Sequence, residues 1–316
     1  MKIVALAGGV GGAKLAHGLA QILPPEDLTV IVNTGDDFEH LGLAICPDLD
    51  TVCYTLAGLA NPETGWGRAG ETWQAMTNLK RLGASDWFNL GDQDLATHLE
   101  RTRRLKAGQP LSRVTRDFCA AWGIRHAVLP MSDNPVRTMV DTDEGELPFQ
   151  EYFVHRRCEP RVKGFRFAGV EVAAPAAGTR EAILSADAVV ICPSNPWVSI
   201  DPILHVLSLT PPSAPLSRNS GEGLGVRAVA VSPIIAGKTV KGPAAKMFAE
   251  LGIEPSALAV ASHYEKFLSG IVVDSLDSEL AKQIRIPTLV TNTLMTSDAE
   301  RARLAQETIN FIGKLP

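Results

Sequence analysis

Three things are missing from this sequence, and each closes off a class of function. No apolar run approaches the roughly twenty residues that a membrane-crossing helix needs, so no membrane is expected as a partner. No lysine- or arginine-rich tract is present and the formal charge is −5, which argues against nucleic acid as the principal ligand. There is no basic, apolar and small-residue leader either, since Met1 runs directly into an apolar strand pattern; a cytoplasmic location is therefore expected. Cysteine is scarce as well. Cys46, Cys53, Cys119, Cys158 and Cys192 are odd in number, widely spaced and form no Cys-x-x-Cys pair, as reduced thiols would be rather than a disulfide framework. Cys53 and Cys192 sit in apolar runs and read as core residues.

What is present is an ordinary globular composition, 45% hydrophobic and 21% charged in 316 residues, long enough for one large α/β domain with an insertion. The first dozen residues stand out. Lys2 to Ala7 is an apolar, β-branched run that ends in Gly8-Gly9-Val10-Gly11-Gly12 before Ala13-Lys14-Leu15 opens a helical pattern. Strand, glycine turn and helix in this order let backbone N–H groups and a helix N-terminus approach an anion, and phosphate is the natural guest. Neither named phosphate motif fits. Walker A has Ala13 at its second glycine and Leu15 at its hydroxyl, while the dinucleotide fingerprint matches at Gly9 and Gly11 but meets Lys14 at its third glycine. A tight turn without a ligand is the competing reading.

The pattern predicts a helix from Gly12 to Leu23 and a strand from Leu28 to Asn33. The right-handed crossover of this β-α-β start puts Asn33 to Asp37 beside the glycine turn. Helices are expected over Asp48–Ala60, Glu71–Leu82, Asp94–Leu105 and Ser112–Trp122, the last with Ser112 as N-cap, so that residues 61–123 form a helical insertion. After a strand at Arg125–Pro130, Arg137–Val140 and Gln150–His155 read as an antiparallel hairpin around the acidic turn Asp141–Gly145. Helix Glu181–Ser185, strands Ala188–Cys192, Arg227–Val231 and Pro287–Thr291, and helix Ser297–Ile312 follow. Residues 210–225, rich in Pro, Ser and Gly, read as a flexible connection. The expected fold class is α/β, Rossmann-like, with a mostly parallel sheet, a helical insertion and a small antiparallel hairpin, in a single domain over residues 1–316.

Open parallel sheets bind ligands at the carboxyl ends of their strands. Four such ends carry glycine or small polar residues: the glycine turn, Asn33 to Asp37, Pro193-Ser194-Asn195-Pro196 and Ser232-Pro233. Turns use the same residue types, so any one of them taken alone has a second reading. Asp36, Asp37, Asp48 and Asp50 gather four carboxylates near a phosphate site. Asp48 has a competing role as cap of its own helix. Like charges beside phosphate call for a cation, and magnesium takes one or two carboxylates plus phosphate oxygens. His17 reads as structural, and His98 and Arg101, one turn apart, read as a solvated helix face, as do Arg103 and Arg104. Lys238 and Lys241, in a glycine-punctuated loop, admit both an anion contact and plain solvation.

Gly8 to Lys14, Asn33-Thr-Gly-Asp-Asp37, Pro47-Asp-Leu-Asp-Thr51, Gly65-Trp-Gly67, Leu90-Gly-Asp92 with Asp94-Leu-Ala-Thr-His98, Leu129-Pro-Met-Ser-Asp133, Phe149-Gln-Glu151, Pro193 to Pro196 and Ser232-Pro-Ile-Ile235 run in order through nearly the whole chain. Together they resemble the CofD family, called FbiA in some bacteria, the 2-phospho-L-lactate transferases of deazaflavin coenzyme F-420 biosynthesis. The resemblance implies attack of the terminal ribityl hydroxyl of 7,8-didemethyl-8-hydroxy-5-deazariboflavin (Fo) on the phospho-acid phosphorus of a guanosine diphosphate-linked donor, releasing GMP. Phospholactate, phosphoenolpyruvate and phosphoglycerate are the three acids open to the donor.

By the same resemblance, magnesium is the cofactor, with Asp36 and Asp50 as metal and catalytic residues, and the protein is a homodimer. Gly9, Val10, Gly11, Gly12, Lys14, Asn33, Ser194, Asn195 and Pro196 then hold the nucleotide, and the flavin lies near Asp50 and Asn89. Archaeal members can carry a lysine where this chain has Asn89, so a contact is implied there without its charge. Trp66, Trp87 and Phe88 are open to both ring stacking and core packing. Two rivals differ in class. One is a non-enzymatic regulator of the same architecture that binds nucleotide sugars. The other is an NAD-dependent dehydrogenase, which wants an acidic residue ending strand two, where Asn33 stands.

Overall fold

The computed structural model describes residues 1–207 and 226–316, so the connection expected over 210–225 lies outside the described residues. In chain order the strands begin with β1 (Ile3–Ala7), β2 (Leu28–Val32), the hairpin β3 (Phe38–His40) and β4 (Leu43–Ile45), and β5 (Ala127–Pro130). The antiparallel β6 (Arg137–Thr142), β7 (Gly145–Pro148) and β8 (Val162–Ala168) come next. They are followed by β9 (Ala188–Ile191), β10 (Arg227–Val231), the ribbon β11 (Ile234–Ile235) and β12 (Lys238–Thr239), β13 (Gly270–Asp274) and β14 (Thr288–Thr291). The first five helices are α1 (Gly9–Ile22), α2 (Pro47–Leu56), α3 (Gln74–Arg81), α4 (Asp92–Lys106) and α5 (Leu111–Ala121), and the last spans Asp298–Ile312. No helix among the described residues is long and apolar enough to cross a membrane.

Seven strands make one parallel sheet in the order β14-β13-β10-β9-β1-β2-β5. β1 pairs with β2 from Ile3↔Leu28 to Ala7↔Val32 and with β9 from Ile3↔Ala188 to Leu6↔Ile191. Strand side chains alternate between faces. Val4, Leu6, Ile31 and Val189 therefore enter one core, while Ile3, Ala5, Val30 and Val190 enter another together with Leu15 and Leu19 of α1 and Leu304 of the last helix. Both faces are covered, which is why the strands read as nearly continuous apolar runs. α1 and the last helix meet at Gly18, where a Cβ would stand 2.2 Å from the Arg301 carbonyl oxygen.

The Rossmann-like fold class is as expected, but two local expectations are corrected. Residues Glu151–His155 form a π-helical turn and not the second strand of a hairpin. The rings of Phe149 and Phe153 stack at 5.4 Å and 7°, a pairing at i, i+4 that helical geometry permits and strand geometry forbids. The hairpin partner of β6 is β7, and β8 adds a third strand along the other edge. Ser112 is likewise no N-cap, since α5 begins after Pro110. Its N–H and hydroxyl donate to the two carboxylate oxygens of Asp133 at 2.6 and 2.8 Å, so a loop acid beyond β5 tethers that helix start.

Candidate active site at the switch point of the sheet

From β1 the chain moves outward through β2 to β5, then returns to β9 on the other side of β1 and continues to β10, β13 and β14. The strand order thus reverses between β1 and β9, and the crevice beyond their carboxyl ends is where open α/β sheets take ligands. The glycine turn and Pro193-Ser194 form its floor. Ser194 Oγ accepts the Gly8 N–H at 3.1 Å and donates to the Gly8 carbonyl oxygen at 2.8 Å. Gly9 adopts a left-handed φ of +63°, and a Cβ on Gly11 would meet the Pro193 carbonyl oxygen at 2.2 Å. Packing between strand ends alone requires glycine at position 11.

One wall of the crevice is acidic. Of the two readings open for Asp48, the cap of its own helix is not realised: its Oδ1 accepts the N–H of Gly9 at 2.7 Å, capping α1 from outside, and α2 has no side-chain cap. Its Oδ2 accepts the Asn33 amide at 2.9 Å, and Asn33 also donates to the Val198 carbonyl oxygen and accepts the Gly35 N–H. Burial raises the Asp48 carboxyl to about 6, although Asn33 and Gly9 pull the other way. Asp36 is raised well above the usual carboxylate range by burial, then by the Asp48 and Asp37 charges. Asp37 is pushed up to about 7 by burial, against the pull of Arg137.

Asp50, on the inner face of α2, belongs to a buried network that borders the acidic wall, since the Arg101 and Asp50 charges both act on the Asp37 carboxyl. Arg101 clamps it through both guanidinium nitrogens, Nη1 to Oδ2 at 3.0 Å and Nη2 to Oδ1. Arg101 Nη1 also donates to His98 Nδ1 at 3.1 Å, and His98 Nε2 lies 3.4 Å from Asp94 Oδ1. Asp94 Oδ1 in turn accepts the Tyr54 hydroxyl at 2.6 Å. The solvated-face reading of His98 and Arg101 is therefore overturned: they are 2% and 3% exposed. Asp94, His98 and Arg101 repeat at i, i+4 and i+7, which places them on one stripe of α4. The spacing carried that signal, with Leu105 as its next apolar member at i+11, but three charged or polar residues in one stripe facing the polar start of α2 read as a solvated face. Arg103 does lie on the surface, paired with Glu100, and Arg104 pairs with Asp117.

The remaining residues singled out by the sequence are distributed unevenly. Ser194 joins the glycine turn directly, and Asn33 reaches it through Asp48. Asn195 serves its own turn, its Oδ1 accepting the Trp197 N–H at 3.1 Å, and Pro196 is buried as the first residue of that turn. Val10 is half-buried under Gly65, and Lys14 Nζ donates to the Met295 carbonyl oxygen at 2.9 Å. Asn89 is exposed in the loop before α4. Trp87 and Phe88 form a ring cluster with Phe38 and His40, with His155 stacked on Trp87, whereas Trp66 is 53% exposed. Cys53 and Cys192 are buried, and Cys53 Sγ lies 3.7 Å from Cys119 Sγ.

Magnesium seeks hard oxygen ligands. Oδ1 of Asp36 and Oδ1 of Asp37 are buried without a hydrogen-bond partner, atoms whose burial costs free energy until a proton or a cation meets them. Those residues fit the ion. Asp50 has both oxygens on Arg101, yet each carboxylate oxygen keeps a second acceptor site. Asp50, Asp94 and His98 bring three potential ligand atoms within 4.8 Å, but Arg101 and Tyr54 already engage the two carboxylates, and an imidazole suits softer ions than magnesium.

A parallel sheet with a glycine turn at its switch point and buried carboxylates beside it defines a Rossmann-like α/β protein with a polar ligand crevice. The family model described as 2-phospho-L-lactate transferase CofD matches residues 3–312; the chain belongs to the CofD family of transferases. Relatives named phosphoenolpyruvate transferase from Streptomyces griseus subsp. griseus and Streptomyces coelicolor are 43% and 42% identical, covering 96% and 98% of this chain and 98% of each relative. One of the same name from Nocardia farcinica is 38% identical over 99% of this chain and 95% of its own. A solved structure of a UPF0052 family member from Bacillus halodurans superposes with a TM-score of 0.62 over 98% of both chains at 16% identity, a likeness of fold.

Proposed function

We propose that this protein transfers a phospho-acid group from a guanosine diphosphate-linked donor to the terminal ribityl hydroxyl of Fo. The hydroxyl oxygen forms a bond to the phosphorus that carries the acid, the bond from that phosphorus to the GMP oxygen breaks, and the hydroxyl proton is lost. The name shared by the curated relatives favours phosphoenolpyruvate as the acid over phospholactate and phosphoglycerate. The observation that carries the reading is the pair of buried, unpartnered Oδ1 atoms of Asp36 and Asp37 beside a glycine turn at the switch point.

Magnesium bound at Asp36, with Asp50 contributing an oxygen, would supply the positive charge that offsets the diphosphate and the leaving GMP. The chain's own residues bind and orient. Glycine-turn N–H groups at the start of α1 receive the phosphates, with Ser194 and Asn33 fixing the two strand ends that frame them. Arg101 holds Asp50 in one orientation at the edge of the helices that would wall the deazaflavin. Transfer of this kind asks mainly for positioning and charge compensation, so no dedicated base is assigned.

Purified protein is incubated with Fo, magnesium and each of the three guanylylated acids in turn, with GMP followed by chromatography and the flavin product by mass. GMP release with a product heavier by the phospho-acid is expected, highest with phosphoenolpyruvate. No GMP release with any of the three sinks the reading. Tight nucleotide-sugar binding without Fo binding would favour the regulatory protein of the same architecture.

A further inference from the structure

Two lysines come close to the start of α1. Lys241, in the loop after β12, reaches the segment that follows α2: its Nζ donates to the Thr64 carbonyl oxygen. A Cβ on Gly65 would lie 3.3 Å from that Nζ and 2.8 Å from Val10 Cγ1. The ammonium group therefore stands beside the first turn of α1, at the positive end of its dipole. Lys14, one turn along the same helix, is held by the Met295 carbonyl oxygen at 2.9 Å. Like most lysines among the described residues, Lys14 and Lys241 have no carboxylate within ion-pair distance; what sets them apart is that both are held by backbone carbonyls close to the start of α1.

Lys241 is exposed, whereas Lys14 is half-buried with no carboxylate on its ammonium group. Burial lowers the affinity of Lys14 for its proton, and the Arg301 guanidinium and Lys241 lower it further, with Glu300 acting the other way. Glu300 is already committed to the capping box of the last helix, its Oε2 accepting N–H groups of Thr296 and Ser297 at 2.7 and 3.1 Å. Arg301 is paired with Asp298 at 3.0 Å. Two ammonium groups held by neutral carbonyls thus flank a phosphate-type turn, and their mutual repulsion is relieved when an anion joins them.

We propose that Lys241 and Lys14 form an anion-binding subsite at the glycine turn that takes an oxyanion of the guanylylated donor. The inference rests on the donor assigned above. The donor offers two sources of an oxyanion, its diphosphate and the carboxylate of its acid. Exchange of the Thr64 carbonyl for either one turns a neutral hydrogen bond of Lys241 into a charge-assisted one.

Calorimetric titrations in magnesium, with GDP and separately with guanylylated phosphoenolpyruvate, compare the wild type with Lys241→Gln, Lys241→Arg and Lys14→Ala. Lys241→Gln keeps an N–H donor without the charge, and Lys241→Arg keeps the charge. At least about tenfold weaker binding is expected for Lys241→Gln, with Lys241→Arg close to wild type and Lys14→Ala weakening the same ligand. Loss with both ligands assigns the contact to the diphosphate; loss confined to the guanylylated acid assigns it to the carboxylate. If Lys241→Gln, with an unchanged circular dichroism spectrum, binds both ligands within about twofold of wild type, the subsite is overturned and the transferase reading stands. Wild-type protein that binds neither ligand overturns the transferase reading itself.

Discussion

The Asp48 carboxylate accepts the Gly9 N–H at 2.7 Å across 39 residues of sequence, so the acidic start of α2 occupies the end of α1 toward which a phosphate is drawn. Ligand and carboxylate compete for one positive helix end. Removing the negative charge while keeping an acceptor should therefore help the ligand. We expect Asp48→Asn to bind GDP about three- to tenfold more tightly than wild type without magnesium, where no cation masks the repulsion. Calorimetry in a chelator checks this, and weaker binding by the variant would place the phosphate away from Gly9.

The acidic wall also sets a pH dependence of unusual sign. Asp37 and Asp48 have carboxyls raised to about 7 and about 6 from an ordinary value of 3.8. The folded state therefore holds more protons than the unfolded state between these values, and stability falls as pH rises through the window from about 4 to about 7. The stabilising share is fully present below the unfolded value. Asp37→Asn is expected to remove part of that fall, on the order of 2–4 kcal/mol between pH 4 and pH 8. Urea denaturation at both pH values gives the difference; an Asp37→Asn slope equal to wild type would assign the titration elsewhere.

Arg101 and Asp50 form a clamped pair inside the protein, with His98 against the guanidinium. Removing one partner leaves the other buried and uncompensated. Arg101→Ala should cost about 3–5 kcal/mol, while Arg101→Met combined with Asp50→Leu recovers most of that loss, because an apolar pair of similar volume avoids the desolvation of both charges. The double variant is also expected to be inactive as a transferase. Thermal unfolding of the single and double variants supplies the cycle.

Gly11→Ala is expected to destabilise by about 1–3 kcal/mol, because its Cβ would stand 2.2 Å from the Pro193 carbonyl oxygen and neither backbone can retreat without disturbing the Ser194–Gly8 bonds. Gly67→Ala, at a positive φ of +68° with open space around it, should cost only its local backbone strain, about 1 kcal/mol. Equal urea midpoints for the two variants would show that the contact at Gly11 is relaxed in solution.

Much of the sheet could be read from its residues because buried parallel strands are apolar along their whole length, as in Leu28 to Val32 and Arg227 to Val231. β13 escaped notice: five buried residues in a row carry no period that separates strand from helix. Gln150 to His155 misled in the opposite direction, aromatic and β-branched content suggesting a strand where ring stacking at i, i+4 selects a helical turn. Within the site, the glycine turn, Asn33 and Ser194 were visible as polar residues just past strands. Arg101 was not, because its partner Asp50 lies 51 residues away.

By itself the sequence determined the order of strand, glycine turn and helix, the parallel sheet, and the gathering of Asp36, Asn33 and Ser194 at one sheet edge. Those follow from period, from turn chemistry and from the fixed hand of the crossover, all of which act locally or through short connections. Tertiary structure alone decided which group meets which: that Asp48 caps α1 and not α2, that Arg101 turns inward onto Asp50, and that Lys241 arrives beside Val10. Such pairings depend on where distant segments come to rest, and a hydrogen bond or an ion pair at 3 Å is set by packing that no window of sequence contains.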